Sequence, residues 1–166
     1  MRVNSMGLFS FKSKVDFYAP VSGKLVDLKD VSDEVFASGA MGKGFAIIPD
    51  DGNIYSPVKG KVSQLFPTKH AVGLQCGKME VLIHIGIDTV DLKGEPFTTM
   101  VSVGDKVDNN SVLVKTDFEK IKKADKDPVT MVLITNTNNV LKSFDLVANN
   151  GDKVDHATEI AEVKEK

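Results

Sequence analysis

An all-β fold of antiparallel strands, sandwich or barrel-like and built on a duplicated strand-turn motif, is what this sequence predicts. Three observations carry that expectation. One phrase occurs twice, as "YAPVSGKLV" (18–26) and "YSPVKGKVS" (55–63): Tyr, a small residue, Pro, Val, a polar residue, Gly, Lys, then apolar. A second pair, "VGDKV" (103–107) and "NGDKV" (150–154), repeats a Gly-Asp turn that leads into a strand. Only "DFEKIKKA" (117–124) reads as helix, so the long helical patterns that parallel crossovers need between strands are missing.

Taken in order, the first stretch, "MRVNSMGLFSFKSK" (1–14), stands apart from the single domain expected over 15–166. It carries Arg2, Lys12 and Lys14, no acid before Asp16, and the cluster Leu8, Phe9, Phe11. A flexible tail is the simpler reading; a weak amphipathic anchor at a membrane surface is the other. Pro20 and Pro57 then punctuate strand starts, and Gly23 and Gly60 are expected to supply turn geometry. "DVSDEVFASGAMGKGFAI" (30–47) reads as a loop with at most one turn of helix. "FPTKHAVGLQ" (66–75) and "KMEVLIHIGIDTV" (78–90) flank a turn at Cys76-Gly77 and are expected to pair as a hairpin.

Composition narrows the function classes. The chain has 166 residues, 42% of them hydrophobic and 27% charged, enough to bury a real core. A net charge of -2 offers no basic field for nucleic acid. One cysteine, Cys76, excludes an internal disulfide and fits a reducing compartment. No apolar run approaches the ~20 residues that span a bilayer, and no leader pattern opens the chain. A cytoplasmic location is therefore expected, with peripheral contact at the inner membrane face through the tail as an option.

The chemistry gathers around "VLIHIGIDTV" (81–90). Side chains alternate along a strand, so Val81, Ile83, Ile85 and Ile87 share the buried face. Glu80, Leu82, His84, Gly86 and Asp88 share the other, which suits a partly open site. Across the hairpin, His70 falls opposite or nearly opposite His84, with Thr68 on the His70 face. Hydroxyl and two imidazoles, with room left by Gly86, would cradle a tetrahedral anion. Cys76, in the turn and without supporting motif, reads as an exposed thiol with no role.

"HIGIDTVDLKGEPF" resembles the segment around the phosphorylated histidine of glucose-family enzyme IIA of the bacterial phosphoenolpyruvate:sugar phosphotransferase system. The resemblance extends over nearly the whole chain after the tail, through "APVSGKLVDLKDVSDEVFASGAMGKGFAI", "SPVKGKVSQLFPTKHAVGLQ" and "VSVGDKV" to "TNTNNV". Two departures stand out. Gly77 lies four positions before Val81 where the family has a glycine three before, and Val72 stands where an aromatic is common. They imply a slightly rearranged hairpin and a smaller apolar patch.

The resemblance implies a phosphoryl relay. His84 would accept the group from the carrier HPr and pass it to a cysteine of a sugar-specific enzyme IIB, which works with IIC. His70 would stabilise the phosphoryl oxygens and Thr68 would support by hydrogen bonding. No metal or other cofactor would be required. The same resemblance places partner-binding positions at Val35, Phe36, Met41, Phe66, Leu82 and Val90, with acidic Asp33 and Asp88 steering basic partners. By residue type alone, Phe66 and Val90 favour core packing, Phe36 and Met41 suit an exposed loop, and Asp88 suits a turn cap. Regulatory partners are a further option; nucleic acid is not.

Two rival classes share repeat-built β folds. Biotinyl and lipoyl carriers display one lysine at a hairpin tip, and Lys78 in "CGKMEV" lacks the flanking methionine on its N-terminal side. Zinc hydrolases of related topology need a His-x-His that is absent, although His70 and His84 could hold Zn2+ if a partner added a carboxylate. Neither rival uses both histidines as they stand.

Overall fold

The computed structural model describes residues 14–166. The tail expected over 1–14 thus lies outside the described residues except for Lys14, which opens the first strand. Among the described residues fourteen strands follow one another: β1 (Lys14–Tyr18), β2 (Gly23–Val26), β3 (Lys43–Pro49), β4 (Asn53–Tyr55), β5 (Gly60–Leu65), β6 (Ala71–Cys76) and β7 (Met79–Ile85). Then come β8 (Phe97–Thr99), β9 (Lys106–Val107), β10 (Val112–Thr116), β11 (Thr130–Ile134), β12 (Leu141–Leu146), β13 (Lys153–Val154) and β14 (Glu159–Glu165). The helices are short: α1 (Glu34–Ala37), α2 (Phe118–Lys123) and α3 (Thr137–Val140). None is long and apolar enough to cross a membrane.

The repeated phrases are a structural repeat. Tyr18 N–H donates to Pro57 O at 2.8 Å, and Tyr55 N–H donates to Pro20 O at 2.7 Å, a reciprocal exchange. Each phrase continues into a strand that receives one Gly-Asp turn, β13 on β2 and β9 on β5. The bonds correspond one for one. Leu25 N donates to Asp152 O and Gly151 N to Leu25 O; Val62 N donates to Asp105 O and Gly104 N to Val62 O. Gly23 and Gly60 serve close approach rather than turn geometry. A Cβ on Gly23 would stand 2.0 Å from Ile48 O, and one on Gly60 2.5 Å from Gln75 O.

Among the described residues all pairings are antiparallel. An eight-stranded sheet runs β13-β2-β3-β11-β7-β6-β5-β9, beside three-stranded sheets β1-β14-β12 and β4-β10-β8. One face of the large sheet carries Leu25, Phe45, Ile47, Leu74, Ile83 and Ile85 into the main core with Phe17, Ile54 and Leu113. Burying each such side chain contributes about 1.5–3 kcal/mol. Alternation sends Ala46, Met131, Leu133 and Leu82 to the opposite face, where Leu28, Val31, Phe36, Ile87 and Val129 cover them in a second, smaller core. His84 lies on that second face.

The β6–β7 hairpin is regular, with Ala71 paired to His84, Val72 to Ile83 and so on to Cys76 with Met79. The turn is therefore Gly77-Lys78, one residue later than the sequence suggests. That step moves Cys76 from the turn into the core, where it is only 4% exposed. The expected exposed thiol is a buried one, and burial pushes its pKa up to about 11, with Glu165 adding to the rise.

Candidate active site

His84 sits near the middle of the large sheet, because β7 is flanked by β6 and β11 and His84 pairs with both Ala71 and Met131. Its strand neighbours Ile83 and Ile85 are fully buried, as the alternation predicts. At the end of β7 the chain turns through Gly86 (φ 78°) and Asp88 (φ 60°), both in the left-handed region. A side chain on Gly86 would collide with Thr89 Cγ2 at 2.4 Å, so glycine is required. Thr89, wholly buried, donates its hydroxyl to Ile85 O at 2.5 Å and braces this turn.

The turn brings Gly86 O to 2.8 Å from His84 Nδ1. A carbonyl can only accept, so Nδ1 carries the hydrogen and Nε2 keeps its lone pair. Sequence reasoning missed this partner, since it is a backbone atom; the glycine two residues after His84 was its one signal.

His70 approaches by a different route from the one the hairpin count implies. The residue directly opposite His84 is Ala71, and His70 lies just beyond the ladder, its carbonyl accepting from Ile85 N–H at 2.7 Å. Lys69 (φ 61°) turns the chain there. The two imidazoles meet edge-on, centroids 5.0 Å apart at 79°. Thr68 Oγ1 lies 2.7 Å from His70 Nδ1. When that hydroxyl donates, His70 Nε2 carries the hydrogen and is left as a donor.

Phe36 lies 5.0 Å from the His84 ring and Phe66 5.7 Å from the His70 ring, giving a row of four rings. Phe36 is carried by α1, whose cap Asp33 accepts from Val35 N–H at 2.8 Å. Phe36 is 8% exposed, contrary to the exposed loop its neighbours suggest, because α1 folds down as a lid on the second core. Met41 and Leu82 are half-buried against the same core. Val90 runs the other way: core packing was the expectation, yet it is 47% exposed, as is Val35 at 54%. Phe66 is half-buried. Asp88 occupies the cap position of the short 3-10 turn Thr89–Leu92 but makes no capping bond.

Burial dominates the electrostatics. Burial first, with His70 adding to it, brings the His84 pKa down to about 4. The Gly86 carbonyl, Asp33 and Asp88 oppose that shift. Burial lowers the His70 pKa as well. Both rings are uncharged near neutral pH, one presenting a lone pair and the other a hydrogen. Among the described residues, no third ligand-type side chain joins the two histidines; the one acidic cluster close enough to share an ion is Asp16, Glu159 and Glu162. The zinc-hydrolase alternative finds no support in this arrangement.

Comparison with known proteins is consistent across sequence and structure. A family model for the phosphoenolpyruvate-dependent sugar phosphotransferase system, EIIA 1, matches residues 15–140. The glucose-specific EIIA component of Halalkalibacterium halodurans is 52% identical over 120 residues, covering 72% of this chain and 69% of that protein. The beta-glucoside-specific EIIBCA component of Bacillus subtilis is 47% identical over 126 residues, 75% of this chain but 21% of its own length. The glucose-specific EIIA component of Staphylococcus aureus is 44% identical over 124 residues, covering 74% of this chain and 75% of that protein. Glucose permease IIA from Mycoplasma capricolum superposes with a TM-score of 0.79 at 33% identity, over 92% of this chain and 97% of the other.

Proposed function

Because the chain belongs to the EIIA 1 family of the phosphoenolpyruvate-dependent sugar phosphotransferase system, we propose that Nε2 of His84 is the atom that carries its phosphoryl group. The chain is a phosphotransferase component of sugar uptake, accepting phosphate on a histidine and passing it on. Its partners in the relay are HPr and the EIIB and EIIC components. The observation that selects the atom is the 2.8 Å contact from His84 Nδ1 to Gly86 O, which leaves Nε2 unprotonated.

In the first transfer, the Nε2 lone pair attacks phosphorus as the phosphorus–nitrogen bond of phospho-HPr breaks, and the HPr imidazole leaves with that electron pair. In the second, a thiolate of EIIB attacks and the bond to Nε2 breaks, returning His84 neutral. His70 Nε2–H is a donor for the phosphoryl oxygens, and Thr68 holds His70 in that tautomer. Positioning and charge stabilisation suffice for such a transfer, so no metal or cofactor is assigned. The exposed Val35 and Val90 are the apolar positions offered to partners, with Phe66, while Asp33 and Asp88 steer cationic side chains. Phe36, Met41 and Leu82, packed in the second core, complete the proposed contact region. A relay fed by phosphoenolpyruvate works where that metabolite is made, which assigns the chain to the cytoplasm.

Incubation with phosphoenolpyruvate, enzyme I and HPr tests the reading. One acid-labile phosphate should be gained by the wild type and none by folded His84→Gln. Equal labelling of both would remove His84 as acceptor.

A further inference from the structure

We propose that Asp127, which touches neither His84 nor substrate, is a positioning residue that sets the tautomer of His84 through a chain of backbone hydrogen bonds. The inference rests on the reading of His84 as acceptor and adds a residue to that site.

The chain starts from one peptide unit. Gly86 C=O and Ile87 N–H belong to the same trans peptide and point in opposite directions. Ile87 N–H donates to Asp127 O at 2.9 Å, and on the far side Gly86 O accepts from His84 Nδ1 at 2.8 Å. Aiming one end of that unit aims the other. The preceding peptide is held by the same loop, since Gly86 N–H donates to Val129 O at 2.8 Å. The fit is tight: a Cβ on Gly86 would stand 3.0 Å from Asp127 O. Hydrogen bonds in such a series polarise one another, so the grip on Ile87 strengthens the bond to the imidazole.

What fixes Asp127 O is its own side chain. Oδ1 accepts from Val129 N–H at 2.9 Å, closing a two-residue turn over Pro128, which supplies a fixed φ and no competing donor. Oδ2 accepts from Ser32 Oγ at 3.0 Å. Ser32 directly precedes Asp33, the cap of α1, which carries Phe36 onto the His84 ring. One carboxylate therefore joins the loop behind His84 to the lid in front of it. Without the turn, Gly86 O loses its aim, and the imidazole is free to put its hydrogen on Nε2, which then has no lone pair with which to attack phosphorus.

Two conservative variants separate geometry from charge. Asp127→Asn keeps an acceptor at the right reach; Asp127→Glu keeps the charge, but its extra methylene does not close the two-residue turn. The His84 tautomer is read from imidazole nitrogen chemical shifts on unphosphorylated protein, and transfer from phospho-HPr is timed in a single turnover. Asp127→Asn should match the wild type in both. Asp127→Glu should show a shift toward the Nε2–H form and roughly tenfold slower transfer, the usual scale for losing an orienting partner. Any other pattern overturns the proposal, including two variants that both behave as wild type or an Asn variant as impaired as the Glu. Absence of phosphate on wild-type His84 would instead remove the acceptor assignment, and the tautomer measurement would still decide the role of Asp127.

Discussion

Lowering the pH should leave His84 uncharged well below the range in which an ordinary histidine takes up its proton. Burial and the neighbouring His70 bring its pKa from 6.5 to about 4, against the Gly86 carbonyl, Asp33 and Asp88. At pH 5 an ordinary imidazole is roughly 3% neutral, whereas a group with the value found here is roughly 90% neutral, about a thirtyfold difference in nucleophile. A stability effect follows from the same shift. The folded value lies below the unfolded one, so on acidification the unfolded chain binds the proton first, and stability falls as pH drops from 6.5 toward about 4. The loss from His84 reaches at most about 3 kcal/mol. His70, shifted the same way, adds to it. The assay is a nuclear magnetic resonance titration of the His84 ring, paired with urea unfolding of wild type and His84→Gln across that window. The wild type should lose more stability than the variant. A midpoint near the ordinary value, with identical pH slopes for both proteins, would refute the reasoning.

Three other outcomes follow from the same geometry. Phe36→Ala should cost about 3 kcal/mol or more in urea unfolding, as for a core aromatic, and should raise the His84 midpoint by letting water reach the ring; an unchanged melt would return Phe36 to the free surface. His70→Ala should slow transfer roughly a hundredfold while His84 still accepts the label, and undiminished transfer to and from both partners would end the stabilising role of His70. Cys76, with its thiol pushed up to about 11, should react with an aromatic disulfide reagent only in denaturant, and rapid labelling of the native protein would contradict its burial.

The strands around His84 were legible because a two-residue period and a hairpin are written in local sequence. "VLIHI" gives the faces, and the duplicated Tyr-x-Pro-Val-x-Gly phrase gives the repeat. The sequence points to a turn at Cys76-Gly77 and the structure has it one residue later at Gly77-Lys78; in a strand one residue exchanges inside for outside, which is why Cys76 is buried rather than exposed. Phe36 failed for another reason. The four residues of α1 are too few to show a helical period, and the decision to bury Phe36 lies in the second core, made of residues distant in sequence. The Gly86 carbonyl was invisible because a backbone acceptor has no letter. Asp127-Pro128 did carry a local signal, an aspartate poised for a side-chain-closed turn, but nothing in the sequence joins it to a strand forty residues earlier.

The most direct test is to phosphorylate isotope-labelled protein with phosphoenolpyruvate, enzyme I and HPr and record a phosphorus–nitrogen correlation spectrum, with peptide mapping to locate the histidine. The expected result is one phosphorus bonded to Nε2 of the histidine in the peptide that holds β7. Phosphorus on Nδ1, or on a peptide holding His70 or His156, would contradict the assignment of His84 Nε2 as the atom that carries the group.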